Sequence, residues 1–149
     1  MTTTDKNVNS DVENLNVFLK NELAAIDSYG QCIEKIDDFS VTTNLEDLQR
    51  SHQRRADMIS NKIQQLGGKP EEDAGVWGDF SILVEGGASL FGEKAAIAAL
   101  EKGEGRGEVQ YREKMENLSP DVRAFIGASI LPEHLNSHET LQRVQRMVH

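Results

Sequence analysis

An all-α fold, four long helices packed as a bundle, is what the sequence predicts, and three observations predict it. Apolar residues recur at helical spacing in four separate stretches, each bounded by capping or breaking residues. Aromatic residues make up only 5% of the chain and there are three prolines, a composition poor in the residues that build β-sandwiches. The hydrophobic fraction of 38% is low, but a bundle needs only one apolar stripe per helix. At 149 residues the chain is most simply one domain with a sizeable core: a disordered arm over residues 1–10, then a single bundle over residues 11–149.

Helix A is expected from about residue 11 to 38, opened by Ser10 and Glu13 in the form of a capping box. Leu15, Phe18, Leu19, Ile26, Ile33 and Ile36 form its stripe, and Glu22 and Tyr29 fall on the same face. A carboxylate there either reaches water at the stripe's edge or needs a buried partner or a metal ion. Thr43 and Glu46 repeat the capping box for helix B, whose stripe is Leu45, Leu48, Ala56, Ile59, Ile63 and Leu66. Gly67 and Gly68 stop it. His52 lies on that stripe, as a satisfied core residue or as a ligand. Arg50, Arg54, Arg55 and Lys62 read as a solvated basic patch on the other face.

Residues 69–74 are a polar loop. Trp77, Phe80, Val84, Ala88 and Phe91 then describe a short amphipathic helix closed by Gly92. It is expected to cross from the end of helix B to the start of helix C, packing on the bundle or joining chains in a homodimer or higher oligomer. Helix C is expected over about residues 93–117, with Ile97, Leu100, Tyr111, Met115 and Leu118 on its stripe. Between Leu100 and Tyr111 the stripe turns acidic, with Glu101, Glu104 and Glu108, among Gly103, Gly105 and Gly107. Those glycines weaken a helix by roughly 1 kcal/mol each, so they mark either close backbone approach or a frayed, solvated segment. Ser119 and Pro120 start helix D as N-cap and first residue. Val122, Phe125, Ile126, Ile130, Leu141 and Val144 form its stripe, and Pro132 is expected to kink it just ahead of His134 and His138.

The formal net charge of −9 argues against a nucleic-acid partner, which needs a basic footprint. Cys32 is the only cysteine, which excludes an intrachain disulfide and a CxxC site. No run of apolar residues is long enough for a membrane span, and the start of the chain lacks the apolar core of a signal peptide. The expected compartment is the cytoplasm, with no membrane partner.

Helices A and C lie over each other without a gap. Glu22 falls on Glu104, Tyr29 on Tyr111, Ile33 on Met115 and Ile36 on Leu118. Each half then supplies a Ser-His pair, Ser51 with His52 and Ser137 with His138. Two such hairpins suggest a pseudo-two-fold bundle. With the C–D turn near residue 119, Glu104 is level with His134 and Glu101 nearly level with His138. With the A–B turn near residue 41, His52 is instead level with Tyr29, roughly 12 Å from the height of Glu22 at 1.5 Å per residue. Glu and His on facing helices are the material of a metal site inside a bundle. The candidate ligands are Glu22, His52, Glu101, Glu104, His134 and His138, with Tyr29 and Tyr111 as hydrogen-bond donors that orient carboxylates. Such donors suit Fe, Mn or Zn. The alternative is a non-catalytic structural or interaction bundle in which the same residues form a metal-free polar network.

The chain also resembles the ferritin-like superfamily of rubrerythrin and bacterioferritin type, and more closely a bacterial ferritin-like family of uncharacterised function. The carriers are Glu-Leu-Ala-Ala-Ile-Asp-Ser-Tyr at 22–29, Leu-Gly-Gly-Lys-Pro at 66–70, Trp-Gly-Asp-Phe at 77–80, Leu-Val-Glu-Gly-Gly-Ala at 83–88 and Leu-Glu-Lys-Gly-Glu at 100–104. The resemblance implies a left-handed four-helix bundle. In the metal-binding members, two helices each give a Glu and two each give a Glu-x-x-His pair to a di-iron or di-manganese centre. Glu22 and Glu104 match the single carboxylates, with Glu101 an alternative, and His52 and His138 match the histidines. Three residues before these histidines the chain has Gln49 and Leu135, where that motif has Glu.

Overall fold

The computed structural model describes residues 3–75 and 88–148. They form the helices α1 (Thr3–Lys35), α2 (Phe39–Gln65), α3 (Ala88–Lys114), α4 (Pro120–Phe125) and α5 (Leu131–Met147). A π-helical turn, Ile126–Ile130, joins α4 to α5, so the two form one long fourth helix. The fold is all-α, and the four helices pack as a bundle, α1 against α2 and α3, and α5 against α3 and α2.

The first helix begins at Thr3, so from there on the stretch expected as a disordered arm is the opening of α1. No Gly or Pro lies between Thr3 and Asp11 to stop it. Asp11 is buried, and its Oδ1 accepts a bond from the Ser119 backbone N–H at 3.0 Å, which ties this turn to the start of α4. The α1–α2 turn also falls earlier than its capping pattern suggests. Asp38, not Thr43, caps α2, its Oδ1 accepting from the Val41 N–H at 3.1 Å. This shift moves every height comparison along the first hairpin.

At its far end α2 closes in a Schellman motif. Gly67 stands at φ +83°, its N–H donates to Gln64 O, and the Gly68 N–H donates to Ile63 O. The chain then runs back along α1. Asn16 donates to Lys69 O and accepts from the Glu71 N–H, and the Gly75 N–H donates to Lys20 O. That course runs along α1 towards the α1–α2 turn, where Ile97 and Leu100 of α3 also pack. The expected amphipathic crossover helix at residues 77–91 lies largely outside the described residues. The backbone of residues 88–91 is helical and breaks from the rest of α3 at Gly92, with φ +76° and ψ 179°. Only glycine holds that conformation without strain.

Among the described residues the apolar interior falls into two clusters. One gathers Ile36, Val41, Leu45, Leu48, Ile97, Leu100, Leu141 and Val144 at the α1–α2 turn. The other gathers Leu15, Phe18, Ile59, Ile63, Leu118, Val122, Ile126 and Ile130 at the opposite end. On every long helix the residues between the two clusters are polar: Glu22 on α1, His52 and Arg55 on α2, Glu104 on α3, His134 and Ser137 on α5. All six are buried.

Candidate functional site

These polar residues form one layer across the middle of the bundle. Glu22 and His52 meet because the α1–α2 link lies at residues 36–38 and both are equally far from Asp37 along the chain. The expected mismatch in height disappears with the earlier turn. His52 Nδ1 is 2.5 Å from Glu22 Oε2, and His52 Nε2 is 2.6 Å from Glu104 Oε1. One imidazole thus bridges the carboxylates of the two halves.

The tyrosines cross between those halves. The Tyr29 hydroxyl donates to Glu104 Oε1 at 2.6 Å, and the Tyr111 hydroxyl donates to Glu22 Oε1 at 2.7 Å. This is the arrangement the duplicated Glu and Tyr spacing allows, each tyrosine serving the other repeat's carboxylate. Burial and the carboxylates beside them push both phenols well above their ordinary range, so both are protonated donors.

Arg55 is the residue the sequence reading misplaced. It belongs to no solvated patch: its side chain is fully buried, with 0% of its surface exposed. Its Nε donates to Glu22 Oε1 at 3.2 Å, and its Nη1 donates to Ser51 Oγ at 2.7 Å and to Ser137 Oγ at 3.2 Å. The signal that could have found it is spacing. Arg55 follows His52 by three residues and precedes Ile59 by four, so it shares their face. Ser51 and Ser137, the echo partners, meet at 3.3 Å between their hydroxyls.

Electrostatics fixes the charges of the layer. Burial alone would raise the carboxyl of Glu22, but His52 and then Arg55 hold it far below the usual carboxylate range. Glu104 is likewise lowered to about 2 against the penalty of burial, chiefly by His52. Burial opposes a charge on His52, and the flanking Glu104 and Glu22 overcome it and raise its pKa. Both ring nitrogens then donate to carboxylates. Arg55 Nη2, 2.8 Å from Nδ1, lies beside this ion pair as a neighbouring positive charge. Two carboxylates, one imidazolium and one guanidinium balance.

His134 joins differently. Its Nε2–H donates to the backbone carbonyl of Glu104 at 2.8 Å. Burial lowers its pKa below the ordinary histidine value despite Glu104 and Glu22, so it is neutral. Gly107 makes this possible, because a Cβ there would stand 2.7 Å from His134 Cε1. Glu104 Oε2, 3.7 Å from His134 Nε2, and His134 Nδ1 have no hydrogen-bond partner among the described residues.

His138 points elsewhere. It lies half-buried on the α3–α5 face, with Nε2 2.8 Å from Glu101 Oε1 and Nδ1 3.3 Å from Glu108 Oε1. The candidate ligands therefore divide. Glu22, His52, Glu104 and His134 come together in the core, while Glu101 and His138 form a separate pair with Glu108. Among the described residues, no group of three or more His, Cys, Asp and Glu side chains is disposed to hold a metal ion.

Four helices with a charge-balanced layer at mid-height define the class to which the fold belongs: all-α bundles with a polar core. The chain belongs to the family described as a domain of unknown function (DUF2383), which residues 10–124 match. That span holds Glu22, His52, Arg55 and Glu104 and ends within α4, ahead of His134. No curated protein and no solved structure matches the chain.

Proposed function

We propose that the chain is a bundle of ferritin-like ancestry that works without a resident metal, as a structural or interaction module. The observation that carries this reading is the buried guanidinium of Arg55, which contacts Glu22 and lies 2.8 Å from His52 Nδ1. A di-metal centre would place its positive charge among these same groups. The donor set fits such a centre poorly. Both nitrogens of His52 donate to carboxylate oxygens, so neither is turned to an open coordination position. Gln49, where the metal-binding motif has Glu, instead donates its Nε2–H to the Ile26 carbonyl at 3.0 Å and secures α2 to α1. Leu135 supplies no donor atom.

The layer has a structural use of its own. A buried ionic group contributes little net stability, because its desolvation offsets its attraction. Misplaced, however, each of these groups would be a buried unpaired charge. The layer therefore penalises any register of the four helices in which Glu22, His52, Arg55 and Glu104 do not meet.

A second reading, one metal ion held by Glu104, His134 and a deprotonated His52, draws on the two unpartnered atoms, Glu104 Oε2 and His134 Nδ1. Two open donors fall short of the four or more that such ions take. Metal analysis of protein purified without a tag separates the readings. Metal-free protein whose melting temperature is unmoved by added Fe, Mn or Zn is expected. Stoichiometric metal that Glu104→Ala abolishes would establish the second reading instead.

A further inference from the structure

We draw no further inference here: the strongest candidate, the half-buried side-chain cluster of Glu101, Glu108 and His138 on the α3–α5 face, carries nothing, because the two carboxylates already take both ring nitrogens of His138 and no second feature among the described residues points to a ligand there.

Discussion

Tyr29 and Tyr111 each place a hydroxyl on the carboxylate of the opposite repeat, and neither hydroxyl has water as an alternative. Removing one oxygen leaves a charged acceptor short of a donor in the core. Tyr29→Phe and Tyr111→Phe are each expected to cost about 1.5–3 kcal/mol, since hydrogen bonds to charged groups are worth that much. Urea denaturation at neutral pH measures it, and a loss below a few tenths would show these bonds to be incidental. His138 is a milder case. Partial burial disfavours its charge, but hydrogen bonds to Glu101 and Glu108 outweigh this and raise its pKa above 6.5. Above pH 6.5 the folded chain then binds a proton that the unfolded chain releases. The contribution is complete below that pH and fades as pH rises through the folded value. His138→Gln is therefore expected to be less stable than the native protein at pH 6, with the gap closing by pH 9. A gap of constant size would mean that His138 contributes by packing alone.

At the scale of the element, α3 shows why glycines accumulate inside one helix. Gly107 is needed for close approach: its missing Cβ leaves the place where the His134 ring lies, 2.7 Å from that position. Gly105 is not so constrained, because a Cβ there meets His138 Cε1 at 3.7 Å, an ordinary contact. Gly105→Ala is thus expected to stabilise the chain by about 0.5–1 kcal/mol through helix propensity. Gly107→Ala is expected to destabilise it by about 1–3 kcal/mol through overpacking. Thermal unfolding of the pair decides the matter, and effects of the same sign would contradict it. The fourth helix makes a different accommodation. Pro132 has no N–H to donate, and the turn before it opens to π geometry, with the Leu131 N–H bonded to Ile126 O. The backbone irregularity expected at Pro132 falls in this π turn, and the helix still buries Ile126, Ile130, His134 and Ser137.

The described residues form two apolar clusters joined through an ionic layer, and acid is expected to act on the layer. Glu104 is lowered from 4.5 to about 2 and Glu22 further, so between those values the unfolded chain binds protons that the folded chain refuses. Their contribution is complete above about pH 4.5 and is lost as pH falls through the folded values. His134, held neutral in the fold, adds a loss that begins as pH drops below 6.5. Stability measured by circular dichroism in urea is expected to fall steeply on acidification below about pH 4.5. Glu104→Gln is expected to start lower at neutral pH but to show a shallower slope. An unchanged slope would place the acid lability elsewhere.

Periodicity and punctuation determined four long helices, though not where the first two begin, because an apolar stripe at helical spacing has to be buried and Gly67, Gly92 and Pro120 act on the chain locally. The gapless repeat of Glu and Tyr also determined that two carboxylates and two phenols belong to one arrangement, and a turn near residue 119 brought Glu104 level with His134. Tertiary structure decided what local patterns leave open. It placed the first turn at residues 36–38, which levelled Glu22 with His52, since helix heights depend on where a hairpin folds and capping boxes recur at places that are not caps. It buried Arg55, which the sequence reading had assigned to a solvated face, because a cation can share an apolar face once carboxylates from two other helices converge on that face. It placed His134 in the core and left His138 on the α3–α5 face. The Glu, His and Tyr residues of the layer are visible in the sequence and Arg55 is not; their balance of charge exists only when four helices meet at one height.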